Sequence, residues 1–592
     1  MAELTKSESS AIEVALAAVA QLIHDGVHDF VLCPGSRSAP LATVLAAAET
    51  VGLVNLHIEI DERVAGFIAL GFGKTGRPAA VITTSGSAIA NLHPAVEEAA
   101  YSAVPLLVLA ADRPAELRNV RASQTADHAA VLRGSVKDVY EIPAGAGQRV
   151  VGNYLRRALR LAAGASFASK SYGPVLVNIG FREPLTSEHS LQDLTQELTT
   201  KISALQLREA DTFLSQKRGA RNANAAPRTV IIAGPSNLWR TETEVSQFGS
   251  GLGQIPVLAE ICSPLRALPQ ALYAHPELLH THLAAEIERV IVIGHPTLTR
   301  EVTALLRNPE VQVIVVDDMP TFTDISGNAA CVIDLSELGR WVDCDIEWAQ
   351  EWVRLAKMAQ REIFRLIAAS SDVTELIDQS ASDAVSEPHN AAKPKITTTT
   401  LAYALAESQV HTFVAASALI RDLNLYGPVP SREFAANRGL AGIDGNISTA
   451  IGLALGCEKP YRVVLGDLAF LHDFGSLLLG THDQKLPDLQ ILVVDDGGGS
   501  LFASLEYGLG ETELFNRVFR TGKEFNFSAF AEALGPKVRF QELSGDYLAL
   551  KEKLAEVPQG IELLYLDLRN TTKDELRENR EFPRRKIREV LR

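Results

Sequence analysis

Two carboxylates sit where a chain could hold a divalent cation. The run YRVVL (461–465) leads into Gly466-Asp467-Leu468, and LQILVV (489–494) leads into Asp495-Asp496-Gly497-Gly498-Gly499. Asp467 and Asp496 are 29 positions apart, close to the length of one strand–helix–strand unit. Adjacent parallel strands would set both side chains at one sheet edge. Two hard oxygen donors there suit Mg²⁺, which completes its shell with phosphate oxygens and water rather than with protein alone. Three successive glycines let backbone approach a phosphorylated ligand and leave carbonyls free to coordinate. Either aspartate alone would be explained as a helix cap; the pair with the glycines points to a metal–phosphate site. A third acid, Glu62, stands between the run NLHIEI (55–60) and the small-residue stretch VAGFIALGFGK (64–74). On its own it is an acid favoured by a helix N-terminus.

These residues need elements to carry them. Short β-branched runs ending in Gly, Pro, Asp or Ser alternate with helical patterns, such as Ile12, Leu16, Val19 and Ile23 on one face. The runs are DFVLCPG, AAVITTSG, VPLLVLAADRP and GPVLVNIG, then TVIIAGPSN, IPVLAEI, RVIVIGHP and VQVIVVDD, then TFVAAS, YRVVLGD, LQILVVDDGGG and IELLYLDL. Continuous apolar strands between helices predict parallel sheets covered on both faces. Two stretches without apolar periodicity, 217–227 and 379–395, read as linkers. They predict three α/β domains, each a doubly wound parallel sheet, at 1–216, 228–378 and 396–592. Ligand sites should lie beyond the carboxyl ends of the strands.

Composition narrows the function classes. The chain has 592 residues, too many for one core, with 46% hydrophobic and 22% charged residues. Its formal charge of −16 argues against nucleic acid as a partner while leaving room for a local basic pocket. No apolar run is long enough for a membrane span, and the polar start MAELTKSESS is unlike a signal peptide. The five scattered cysteines fit reduced thiols and a cytoplasmic setting. GSGLG (249–253) precedes a strand rather than following one, so it is not a nucleotide loop. His57, His93, His472 and His482 lack metal spacing, and the charged tail KDELRENREFPRRKIREV reads as a solvated helix.

The Gly-Asp…Asp-Asp pair resembles the cofactor motif of the thiamin-diphosphate-dependent enzymes. That resemblance implies Asp467, Asp496 and the Gly498 carbonyl as ligands of Mg²⁺, with Mn²⁺ as an alternative. Leu468 stands where the family often has Gly, and Asp495 and Asp496 where it often has Asn. Asp remains a competent oxygen ligand. The resemblance also assigns Glu62 to the aminopyrimidine ring of the cofactor, where it promotes the imino tautomer, and Ile443 to the apolar prop that bends the cofactor. Ser85, Gly86, Gly442, Gly466, Leu468, Leu501 and Phe502 match further cofactor-binding positions. It implies pyrimidine-binding, central and diphosphate-binding domains in that order. The active site would then form between subunits of a homodimer or a dimer of dimers.

CPGSRSAPL (33–41), DERVAGFIALG (61–71), TTSGSAIANLHPAV (83–96), ADRPAEL (111–117), ANRGLAGIDG (436–445) and GDLAFLHD (466–473) are similar, more narrowly, to the thiamin-dependent synthases of menaquinone biosynthesis. Those enzymes decarboxylate 2-oxoglutarate and add the succinyl carbanion equivalent to isochorismate. Both substrates are dianions, and guanidinium forks bind carboxylates bidentately. Arg37, Arg113, Arg300, Arg421 and Arg438 match substrate-binding positions, with Ser36, Gln124 and Ser417 as polar partners. Glu62, Arg37, Arg113, Gln124, Ser417, Arg421 and Arg438 are the expected catalytic set. The alternatives are another thiamin-dependent 2-oxoacid decarboxylase or synthase, which would need no distal-carboxylate arginines, and an inactive cofactor-binding homologue, which would not need Glu62.

Overall fold

The computed structural model describes residues 8–164, 171–186, 190–205, 226–239, 241–317, 324, 329–371, 396–428, 433–480, 484–543, 545–569 and 571–592. The expected linkers lie outside them except for Ala226 and Pro227, as do residues 1–7 and His482.

Among the described residues, three sheets are present, and every strand pair in them is parallel. The first contains β1 (Asp29–Leu32), β2 (Asn55–Ile58), β3 (Ala79–Thr83), β4 (Leu106–Asp112), β5 (Val139–Ile142) and β6 (Pro174–Gly180), in the order β2-β1-β3-β4-β6-β5. The second contains β7 (Thr229–Ala233), β8 (Val257–Ala259), β9 (Arg289–Ile293), β10 (Gln312–Val316) and β11 (Ala329–Ile333), in the order β11-β10-β9-β7-β8. The third contains β12 (His411–Val414), β13 (Phe434–Ala435), β14 (Tyr461–Gly466), β15 (Leu489–Asp495), β16 (Val538–Glu542) and β17 (Ile561–Asp567), in the order β13-β12-β14-β15-β17-β16. This is the doubly wound α/β architecture expected from the alternating pattern. Strand order reverses between β1 and β3, between β7 and β9, and between β12 and β14. Loops splay apart at such points and leave a crevice.

The chain divides into two compact units. One is Met1–Gly219 with Ile447–Lys459 and His472–Pro487; the other is the remainder. In the first, the helix Glu62–Lys74 meets residues 447–457 backbone to backbone. A Cβ on Gly71 would lie 2.3 Å from the Thr449 carbonyl oxygen, and one on Gly452 would lie 2.1 Å from that of Ile68. Only glycine allows this approach, which anchors the helix that begins at Glu62. In the second unit, the second and third sheets share one apolar core, which includes Trp348 and Trp352 of the helix Ile346–Ser371.

The C-terminal helix Lys573–Leu591 departs from the expectation of a solvated helix. Ile587 and Leu591 are buried in the shared core, and Arg584 and Arg588 both pair with Glu277, whose side chain is 0% exposed. Charge density hid an amphipathic face. An unpaired buried carboxylate costs more than two half-exposed guanidiniums that can turn to water. The double variant Arg584→Ala/Arg588→Ala should therefore lose about 3–5 kcal/mol, and Glu277→Gln clearly less, in urea unfolding followed by circular dichroism. The reverse order would mean that Glu277 contributes packing rather than charge.

A candidate cofactor and substrate site

In the second unit, β14 and β15 pair in register, with Gly466 opposite Val494. The next residues, Asp467 and Asp495, therefore follow at the same sheet edge. Burial pushes the Asp467 carboxyl up to about 7, with Asp495 and Asp496 adding repulsion. Burial likewise raises Asp496 to about 6, against a hydrogen bond from Ser500. Asp495 is turned to structural work: it accepts from Tyr565 Oη at 2.8 Å and from the Gly497 amide at 2.9 Å. Asp467 Oδ2 is buried without a hydrogen-bond partner.

The glycine loop is held from behind by Arg520. Its guanidinium donates to the Asp496 carbonyl at 2.9 Å and the Gly497 carbonyl at 3.1 Å. Gly498 has φ +109°, and a Cβ there would lie 1.9 Å from the Arg520 carbonyl oxygen. Arg520 carries no local sequence signal, because it lies well past the loop it braces. Leu501 and Phe502 follow in a short 3-10 turn, with Phe502 packed edge-on to Tyr507. Leu468 is half-buried beside Asp467, while Ile443 is 41% exposed in the loop that also carries Gly442.

Ser417 stands at the N-cap position of the helix Ala418–Tyr426 without a side-chain capping bond, and Arg421 donates back to its carbonyl at 2.7 Å. Arg438 is buried and donates to Thr297 Oγ1 at 2.6 Å. Beside it lies Glu260, the first residue past β8, which the sequence reading passed over. Its Oε1 accepts the amides of Thr297 at 2.7 Å and Leu298 at 2.6 Å, while Oε2 has no partner. Burial pushes its carboxyl up to about 7 against those amides and the fields of Arg438 and Arg421. Arg300 is exposed and pairs with Glu506 at 3.4 Å; no contact joins it to Arg421 or Arg438.

In the first unit, Ser36-Arg37 follow β1, Glu62 lies beyond β2, Ser85-Gly86 follow β3 and Arg113 follows β4. All therefore emerge at one end of one parallel sheet, around its switch point. Glu62 is half-buried and accepts from Asn91 Nδ2 at 2.9 Å, with Asp61 capping its helix. Arg113 donates to Ser85 Oγ at 2.5 Å and to the Gln124 carbonyl. Gln124 donates to the Ser85 carbonyl at 3.1 Å from a left-handed backbone (φ 53°). Arg37 is buried, donates to the Phe181 carbonyl at 2.8 Å, and has its guanidinium pKa lowered by burial and by Arg113. Ser36 is exposed.

His128, not singled out by the sequence, supports this group. Its Nε2 accepts the Gly86 amide at 3.2 Å, so its proton sits on Nδ1, which donates to Asn178 Oδ1 at 2.9 Å. Asn178 donates in turn to Asp112 at 3.0 Å, and Arg118 bridges Asp112 and Glu141. Of the other histidines singled out in the sequence, His57 is buried against Phe72, His93 bonds Ser135 at 2.9 Å, and His472 Nδ1 lies 2.8 Å from the Arg63 guanidinium.

The doubly wound sheets and acidic glycine loop define a thiamin-diphosphate-type enzyme. Residues 12–131 match the family model of the thiamine pyrophosphate enzyme N-terminal TPP binding domain. The chain is 35% identical to a 2-succinyl-5-enolpyruvyl-6-hydroxy-3-cyclohexene-1-carboxylate synthase of Leifsonia xyli subsp. xyli, covering 95% of this chain and 98% of that one. It is also 35% identical to the synthase of that name from a Nocardioides species, over 96% and 97% of the two chains, and 37% identical to that of an Arthrobacter species, over 89% and 84%. The chain belongs to the 2-succinyl-5-enolpyruvyl-6-hydroxy-3-cyclohexene-1-carboxylate synthase family. Among the described residues, no helix is long and apolar enough to cross a membrane.

His128→Leu should leave the Gly86 amide buried without an acceptor, at a cost of about 1–3 kcal/mol. His128→Gln can place an amide oxygen near the Nε2 position and should recover part of that loss. Urea unfolding of the two variants measures the difference; equal stabilities would remove the Gly86 contact from the account.

Proposed function

We propose that the chain catalyses the reaction its relatives are named for: decarboxylation of 2-oxoglutarate and 1,4-addition of the remaining succinyl unit to isochorismate, within menaquinone biosynthesis. The observation that carries this reading is the orphaned, buried Asp467 Oδ2 beside Asp496 and the glycine loop. The donors are hard oxygens only, which fits Mg²⁺ and also admits Mn²⁺. Among the described residues, no group of three or more His, Cys, Asp or Glu side chains could by itself hold a metal ion, so backbone and ligand oxygens would have to complete the shell. Asp467, Asp496 and the Gly498 carbonyl would hold the metal, leaving positions for diphosphate oxygens and water.

Thiamin diphosphate supplies, when bound, the nucleophilic carbon and the electron sink through which a 2-oxoacid loses CO₂ and passes on its acyl unit. The protein's own residues do the rest. Glu62 would offer its carboxyl to the aminopyrimidine ring and would hold a proton there. Ile443, Gly442, Gly466, Leu468, Leu501 and Phe502 shape the cofactor's bed, and Ser85 and Gly86 line its pyrimidine end. Arg421 and Arg438, with Ser417, orient 2-oxoglutarate. Arg37 and Arg113, with Ser36 and Gln124, orient isochorismate. Arg300 joins them by exchanging Glu506 for a substrate carboxylate, an inexpensive exchange because exposed pairs are weak. We further propose three domains bounded at 1–216, 228–378 and 396–592, a homodimer or dimer of dimers with its site completed between subunits, and a cytoplasmic setting.

Product analysis after mixing the protein with thiamin diphosphate, Mg²⁺, 2-oxoglutarate and isochorismate tests the function directly. Pyruvate as an equally good donor would sink the dicarboxylate assignment and favour a simple 2-oxoacid decarboxylase. Glu62→Gln should keep the cofactor bound while slowing turnover by about 10²–10⁴-fold; activity within twofold of wild type would remove Glu62 from the mechanism. Asp467→Ala should weaken thiamin diphosphate far more than thiamin in calorimetric titrations with Mg²⁺, since a metal held by Asp467 would serve phosphate oxygens that thiamin lacks. Equal losses for both would make Asp467 a support of the fold.

A further inference from the structure

We propose that Glu260 is the internal counter-ion of the Arg421–Arg438 pair, and that it takes up a proton when a dicarboxylate binds those arginines. The inference rests on the reading that Arg421 and Arg438 anchor a substrate carboxylate. Glu260 comes from the carboxyl end of β8 in the second sheet, whereas both arginines come from the third-sheet segment. The three sit in order of depth: Arg421 is open to solvent, Arg438 is 6% exposed, and Glu260 is 1% exposed. The groups acting on Glu260 come from three elements. The loop after β9 gives the Thr297 and Leu298 amides to Oε1, the 436–445 loop gives Arg438, and the helix Ala418–Tyr426 gives Arg421. Arg438 and Glu260 also share Thr297, one through its hydroxyl and the other through its amide. Loss of hydration, then Arg438 and Arg580, lower the Arg421 guanidinium pKa, and Asp422 and Glu260 oppose them.

A buried carboxylate with one oxygen lacking any donor depends on the neighbouring cations to stay ionised. A ligand carboxylate that engages Arg421 or Arg438 cancels part of that field. Two anions then compete for the same guanidiniums, and the one without a donor on Oε2 yields. A proton from solvent bonds to Oε2 and the competition ends. The carboxyl is already balanced near neutrality in the free protein, at about 7, so a modest further rise completes the change. The sign follows from linkage: a ligand that raises the carboxyl's pKa binds best below the free value and loses affinity as pH rises through it. A rise of one unit weakens binding by about tenfold across that window.

Glutarate has both carboxylates but no 2-oxo group to react, so it serves as the probe. It is titrated calorimetrically into the cofactor-loaded enzyme in buffers of different ionisation enthalpy, between about pH 6 and about pH 9. We expect an uptake of about half a proton per site near pH 7.5 and an affinity falling about tenfold toward the alkaline end. Glu260→Gln keeps an oxygen for the two amides and should bind glutarate with no proton uptake and a flat pH profile. Glu260→Asp should restore part of the pH dependence, which a purely structural role would not do. Wild-type binding with no buffer-dependent heat would overturn the proposal while leaving the arginine anchor standing, provided that Arg438→Met abolishes binding. Glutarate binding that survives both Arg421→Met and Arg438→Met, or that is absent from the wild type, would overturn the anchor itself and the proposal with it.

Discussion

The in-register parallel pairing of β14 with β15 is the constraint on which the candidate site depends. It sends Asp467 and Asp495 off the same sheet edge and brings Asp496 after them. Three carboxylates in so small a buried volume repel one another and lose hydration, which is why Asp467 and Asp496 are both raised toward neutrality. The structure answers only part of that cost. Asp495 is satisfied by Tyr565 and a backbone amide, and Asp496 by Ser500, while Asp467 keeps an oxygen with no donor. A carboxylate left in that state is suited to a cation.

The same logic of incomplete satisfaction distinguishes other buried charges in this acidic chain. Glu277 is buried but receives Arg584 and Arg588, so its pair serves to dock the C-terminal helix. Asp112 and Glu141 receive Arg118 and Asn178 and steady His128 under the Gly86 amide. Glu260 has only half of its carboxylate satisfied and lies in the fields of Arg438 and Arg421. Asp467 and Glu260, each with one carboxylate oxygen unsatisfied, directly follow the strands β14 and β8.

Much of the architecture was legible in one dimension, and the exceptions share a cause. The strands not marked by apolar runs, β5, β11, β13 and β16, are all edge strands. An edge strand such as Val538–Glu542 is buried at few positions and need not be apolar throughout. The tail helix was misjudged for the related reason that Ile587 and Leu591 are few among many charges. Of the expected site residues, Arg113 and Gln124 gather around Ser85 with Arg37 in the field of Arg113, whereas Arg300 pairs with Glu506.

What the sequence determined by itself was the set of buried strands and the chemistry placed at their carboxyl ends. Runs of β-branched residues can only be satisfied as strands covered on both faces, and Asp467, Asp496, Arg37 and Ser85 follow them directly. Tertiary structure alone decided which distant groups meet. Nothing near Glu260 in the chain announces Arg438, nothing near the glycine loop announces Arg520, and nothing near Gly86 announces Asn178. Those encounters depend on strand order, register and the packing of separate segments. They are set by the burial of whole faces, and no local pattern of residues encodes them.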